Sequence, residues 1–208
     1  MALPAILPER KGEPVAVNLV KGQKVDLKKP DGGDLRRIMI GLGWDPVERK
    51  KKLFAPQIDC DAFAMLLKGG KLESGKDIVA FFNLKHKSKS VKHSGDNLTG
   101  KGDGDDEQIT VMLDDVPPDV DRIVFGANIY QARMRKQHFG MIGNAFIRIV
   151  DMDSGQELLR YDLSGDAYDG LTAMIFGEVY RRGDGWKFSA IGEATADGSI
   201  QDVAKRWQ

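Results

Sequence analysis

The chain has 208 residues, with 31 lysines and arginines against 31 aspartates and glutamates. That balance excludes a global basic field for nucleic acid or for membrane, so any charged partner must be met locally. No run approaches the ~18 apolar residues of a spanning helix. A single cysteine, Cys60, excludes an internal disulfide and fits a reducing, cytoplasmic compartment.

Taken in chain order, Met1 to Pro14 carries three prolines among charged residues and reads as a mobile arm. Its apolar start lacks a basic leading region and is broken by proline, so it does not read as a signal peptide. Order is expected from Val15. Short strand-like runs follow at Val15 to Leu19, Val25 to Leu27, Ile38 to Gly43, Ile58 to Leu67, Ile78 to Phe82 and Ile109 to Leu113. They continue at Ile123 to Ile129, Ala145 to Val150, Glu157 to Asp162, Thr172 to Arg182 and Trp186 to Gly192. Many short strands with Gly-rich joints predict an all-β fold, an antiparallel β-sandwich, as one domain over residues 15–208. Asp184-Gly185 before Trp186 and Asp153-Ser154-Gly155 are hairpin signals. Gln131 to Phe139 is poor in β-branched residues and reads as a short helix, and Ser199 to Trp207 reads as a terminal helix capped by Ser199.

The stretch Gly95 to Glu107 sets five carboxylates and Asn97 on a backbone with four glycines, offset within it only by Lys101. Asp96, Asp103, Asp105, Asp106 and Glu107 repel one another at short range. Two remedies exist: a solvated acidic turn, or a cage of hard oxygens around Ca²⁺, which takes about six to eight of them. The glycines permit the tight conformations that let carbonyl oxygens face one point. The stretch has the length of an EF-hand loop, but Leu98, Gly100 and Lys101 occupy positions that pattern reserves for ligands and the turn glycine. A second acidic pair, Asp59 and Asp61, sits on a strand-like run. Alternation puts both carboxylates on one face with Phe63 and Met65, and Ile58, Cys60 and Ala62 on the other. A divalent ion would compensate the pair, and so would exposure at a sheet edge.

Several collinear motifs resemble the TerD family of bacterial tellurium-resistance and general stress proteins. They are Lys21-Gly22-Gln23, Gly41-Leu42-Gly43-Trp44-Asp45, Asp59-Cys60-Asp61-Ala62, Gly95-Asp96-Asn97-Leu98-Thr99-Gly100 and Gly102-Asp103-Gly104-Asp105-Asp106-Glu107. Val120 to Phe125, Phe139 to Arg148, Arg160 to Leu163 and Phe176 to Tyr180 follow in the same order. The resemblance implies a Ca²⁺-binding β-sandwich without demonstrated enzymatic activity, linked to tellurite, phage or colicin resistance and to stress. It also implies two calcium sites, with Asp59, Asp61, Asp96, Asn97, Asp103, Asp105, Asp106 and Glu107 as the ligand set. This chain departs in having Cys60 where the family usually has Leu, Arg49 to Lys52 in a basic insert, and a longer Pro-containing arm.

The remaining chemistry-bearing residues read blandly. His86 and His93, among Lys85, Lys87, Lys89 and Lys92, read as a solvated hairpin, and His138 as packing or surface. Cys60 reads as a buried small hydrophobe. Trp44, Phe63, Phe81, Phe82, Phe125, Phe146, Phe176, Trp186 and Phe188 read as core or core edge rather than a base-stacking platform. No catalytic triad order or phosphate-binding glycine loop stands out. The expected function is a non-catalytic calcium-binding stress-response module in which the ion orders the acidic loop and other proteins of the system are the partners. A metal-dependent hydrolase and a calcium-triggered binder of anionic membranes are the alternatives. Nucleic acid is not expected as a partner.

Overall fold

The computed structural model describes residues 17–18, 21–29, 32–45, 58–95, 104–162 and 168–208. Among the described residues, twelve strands form two six-stranded sheets. The first sheet runs in the order β1 (Val17–Asn18), β10 (Glu157–Asp162), β9 (Gly143–Asp151), β3 (Arg37–Asp45), β7 (Glu107–Met112) and β6 (Val91–His93). The second runs β2 (Lys24–Asp26), β12 (Gly185–Thr195), β11 (Ala173–Arg182), β8 (Arg122–Ile129), β4 (Cys60–Leu67) and β5 (Ile78–Val79). Pairing is antiparallel except between β1 and β10, which run parallel at the edge of the first sheet.

Alternation along the strands builds the core between the sheets. Ile38, Ile40, Leu42 and Trp44 of β3, with Ile109 and Val111 of β7, face Cys60, Ala62, Ala64 and Leu66 of β4 and Ile123, Phe125, Ala127 and Ile129 of β8. The other face of the second sheet is also covered. Phe63, Met65 and Leu67 of β4 and Val124 of β8 pack there with Ile200, Val203 and Ala204 of helix α2 (Ile200–Ala204). Burial on both faces is why β4 reads as an unbroken apolar run. In β11 the register shifts between Ile175 and Gly177, so Met174 and Phe176 precede Val179 in the core where strict alternation would present Glu178.

The short helices lie where propensity places them. Helix α1 (Ala132–Arg135) and a 3-10 turn at Phe139–Met141 occupy the expected segment. The Ser199 hydroxyl accepts the Asp202 N–H at 3.1 Å and caps α2. The β11–β12 hairpin closes on Gly183 and Asp184, with Arg182 opposite Gly185, so the left-handed residue is Gly183 (φ 63°) rather than a member of the Asp184-Gly185 pair. Strand β6 was not expected. Among the described residues no helix is long and apolar enough to cross a membrane.

Candidate metal centre

One end of the sandwich gathers the end of β3, the start of β4, the end of β6 and the start of β7. Residues 94–95 and 104–106 therefore emerge there as the two arms of the acidic loop. Gly95 N–H donates to His93 Nδ1 at 3.1 Å, and Ser94 pairs with Gln108 through its N–H (2.8 Å) and its hydroxyl, which accepts the Gln108 N–H at 3.0 Å. Because His93 Nδ1 accepts, its proton sits on Nε2, which reaches Ala62 O at 3.2 Å and Glu107 Oε2 at 3.3 Å.

Glu107 faces inward. It is fully buried, and Oε2 also accepts the Ala62 N–H at 2.5 Å, so one carboxylate ties the start of β7 to the start of β4 across the two sheets. Asp105 points to the opposite side of the first sheet. Its carboxylate lies over Gly41, which faces Gln108 on β7 and Arg148 on β9. Arg148 grips it with both prongs, Nε to Oδ1 at 2.8 Å and Nη2 to Oδ2 at 3.0 Å. Asp106, between them, accepts the Trp44 N–H at 2.9 Å while its own N–H donates to Leu42 O at 2.8 Å. Burial pushes the Asp106 carboxyl up; the Trp44 bond works against that, and Asp45, Asp105 and Glu107 add to it.

Asp59 and Asp61 do share a face, but they are not exposed at a sheet edge as one reading of the sequence allowed: they are 5% and 3% exposed. The helical segment after β8 lies against Asp59, with Tyr130 N–H donating to Asp59 O at 2.9 Å and the Arg135 guanidinium 3.8 Å from Asp59 Oδ2. Cys60, between the two, is buried as expected. Burial pushes its thiol well above the usual range, and Asp61, Glu107, Asp59 and Asp106 push it further.

Residues 15–207 match the family model described as the TerD domain. The chain belongs to the TerD family. It is 48% identical over 200 residues to stress response protein SCP2 of Bacillus subtilis (strain 168), covering 93% of this chain and 100% of that one. It is 44% identical over 185 residues to tellurium resistance protein TerD of an Alcaligenes species, covering 88% and 93%. General stress protein 16U of Bacillus subtilis (strain 168) is also 44% identical over 185 residues. The fold is shared with the crystal structure of a TerD homologue, SCO6318 from Streptomyces coelicolor A3(2), at a TM-score of 0.65 and 22% identity, covering 84% of this chain and 98% of that one.

In this TerD-family chain the structure brings Asp59, Asp61, Asp106 and Glu107 to one end and places Asp105 beside them on the outer face. Asp96, Asn97 and Asp103 lie outside the described residues, as does the basic insert Arg49 to Lys52. Among the described residues no group of three or more His, Cys, Asp or Glu side chains is set to hold a metal. The described donors at this end are hard oxygens, the donor type that Ca²⁺ takes. The histidines correct the solvated reading: His86 is 2% and His93 6% exposed. His93, Arg148 and Gly41 were missed as parts of the site. Gly41 and Arg148 stand in the collinear motifs without a role assigned there, and His93 lies two residues before the acidic stretch, alternating with Val91.

Proposed function

We propose that this chain is a calcium-binding stress-response protein of the tellurium-resistance type, acting in the cytoplasm through other proteins rather than by catalysis. The burial of Asp59 and Asp61 at the start of β4 and of Glu107 at the start of β7, with Asp106 next to it, supports this reading. Taking ionised carboxylates out of water costs several kcal/mol each unless opposite charge or hydrogen bonds answer them. A doubly charged ion at this end would add to the partners these carboxylates already have. Asp59, Asp61 and Asp106, with Asp96, Asn97 and Asp103 from the loop, supply its oxygens, and the ligand count allows two ions. Asp105 and Glu107 act differently, fixing the arm 104–106 to Arg148 on one sheet and to Ala62 on the other.

The ion would add a positive charge where like charges crowd, so loop and strand lock together when it is bound. The names of the relatives, stress response and tellurium resistance, support the biological setting. A ligand that binds only the folded form adds about 2.7 kcal/mol at 100 times its dissociation constant. For a chain of this length that raises the melting temperature by roughly 5–11 °C. Melting in calcium against melting in chelator is the test, with Asp61→Asn expected to lose most of the rise. Identical melting in both media would remove the calcium reading.

A further inference from the structure

Before β6, at the opposite end of that strand from the acidic loop, lies a hydrogen-bond chain that the calcium reading does not use. Asp77 ends the 3-10 turn Gly75–Asp77. His86, Ser88 and Ser90 lie in the turn that leads into β6, where the His86 N–H donates to Val91 O at 3.0 Å. Between Asp77 and His86 the chain reverses, with Asn83 N–H donating to Ala80 O at 2.8 Å. That reversal carries Phe82 outward at 45% exposure and corrects its reading as a core residue. Asp77, His86 and Ser90 are 2%, 2% and 0% exposed, and Ser88 is half-buried, so the Ser88 hydroxyl is where this set of groups meets solvent.

The protons in this chain run in one direction. The Ser88 backbone N–H donates to His86 Nδ1 at 3.2 Å, and an amide N–H can only donate, so Nδ1 carries the lone pair and Nε2 the proton. Nε2–H then donates to Asp77 Oδ1 at 3.1 Å, an oxygen that Lys87 Nζ also reaches at 3.0 Å. Ser88 Oγ lies 2.6 Å from the same Nδ1 and must donate to its lone pair. With that proton spent, the Ser90 hydroxyl at 2.7 Å is the donor to Ser88 Oγ, and the Ser90 N–H adds a weaker bond at 3.3 Å. Donation thus passes from Ser90 to Ser88 to His86 to Asp77. Bonds aligned in this way polarise one another, drawing the Ser88 proton toward the imidazole while Ser90 steadies the charge left on the oxygen. A hydroxyl within reach of a base, with the base oriented by a third group, is the arrangement of an activated nucleophile.

We infer that Ser88 is a covalent acceptor for activated acyl groups. Ser88 Oγ attacks the acyl carbon, and the new Oγ–C bond forms as the hydroxyl proton passes to His86 Nδ1. The bond from that carbon to the leaving group then breaks, and the leaving group departs with the electron pair and takes the proton from His86. Ser88 is half-buried, so a planar acyl carbon, open on one face, reaches its oxygen more readily than a tetrahedral phosphoryl centre. The backbone N–H groups that flank Ser88 are spent inside the turn: Ser88 N–H on His86 Nδ1, Lys89 N–H on His86 O at 2.8 Å and Ser90 N–H on Ser88 Oγ. None of these three is left to hold an oxyanion, the contribution on which rapid acyl turnover rests. Ser88 therefore takes one acyl group and keeps it, a modification of the chain that is compatible with a non-catalytic protein.

Treating the full chain with p-nitrophenyl acetate in chelator, with p-nitrophenolate release followed by absorbance and the acetyl group placed by fragment mass spectrometry, is the test. The expected result is a single burst of p-nitrophenolate and an acetyl group on Ser88 that hydroxylamine removes, as it removes an ester but not a lysine amide. Ser88→Ala should abolish that label. A positioned base contributes about 100-fold or more, so His86→Gln and Asp77→Asn should slow Ser88 acetylation by at least about that factor, at a temperature where circular dichroism shows each variant folded. The parent supplies a readout that needs no variant: its rate should level off once His86, faced by Asp77 and Lys87, has lost its added proton, whereas an unassisted hydroxyl keeps gaining rate with every unit of pH. Acetyl found only in hydroxylamine-resistant form on lysines, a burst unchanged in Ser88→Ala, equal Ser88 labelling in parent and Asp77→Asn, or a parent rate that never levels off would overturn the assignment.

Discussion

Gly41 is where one methyl group tests the packing that holds the loop arm. A Cβ added there would lie 2.3 Å from Asp105 Cγ and Oδ1 and 2.4 Å from Oδ2. Ordinary contact needs about 3.4 Å or more, so the carboxylate must move by about 1 Å. That displacement breaks both prongs of Arg148, at 2.8 and 3.0 Å, and the weaker bond from Gln108 at 3.3 Å. The Asp105 side chain is fully buried, and breaking a buried ion pair costs about 3–5 kcal/mol. Arg148 keeps Glu157 at 3.0 Å and remains 28% exposed, which sets the cost at the lower end. About 3 kcal/mol corresponds to a fall of roughly 6–12 °C in melting temperature for this chain length. Thermal melting of Gly41→Ala in chelator, followed by circular dichroism, reads the effect. In an Asp105→Ala background the new methyl has no carboxylate to displace, so the second substitution should add little. A Gly41→Ala protein that melts with the parent, or penalties that simply add in the double variant, would refute the assigned contact.

Glu107→Ala removes the acceptor of the buried Ala62 N–H and is expected to cost about 2 kcal/mol, whereas Glu107→Gln keeps a carbonyl-type acceptor and should cost less than half of that, as denaturant melts would read. Burial pushes the Asp77 carboxyl up, but His86 and Lys87 outweigh it and hold it below its ordinary value of 3.8. The folded state therefore favours the ionised form. This contribution to stability is present above pH 3.8 and is lost as pH falls through the lower folded-state value. Asp77→Asn should accordingly be less stable than the parent near neutrality and converge with it in strong acid, as melting across pH would show.

Much of the fold could be read from strand periodicity and glycine turns, because both are local. The alternation around Asp59, Cys60 and Asp61 placed the thiol in the core and both carboxylates on the other face, as the structure has them. Periodicity cannot say what covers a face, so the burial of that pair was not legible. Strand β6 was hidden by the lysines around it: Lys92 faces water while Val91 and His93 point inward, an alternation too short to outweigh that charge. Phe82 was misread because hydrophobicity alone suggests burial, whereas a turn closed by Asn83 turns it outward. The Asp105–Arg148 grip joins residues 43 apart in sequence, and only the pairing of β9 and β7 on either side of β3 brings them together.

Isothermal titration of the calcium-free chain with Ca²⁺, with Mg²⁺ and Zn²⁺ as comparisons, addresses the metal centre most directly. Saturable calcium heats with a defined stoichiometry, sharply weakened in Asp61→Asn and in Asp103→Asn, are the predicted result. Titrations that return only dilution heats for calcium, or calcium heats unchanged in both variants, would contradict a metal centre built from the start of β4 and the acidic loop.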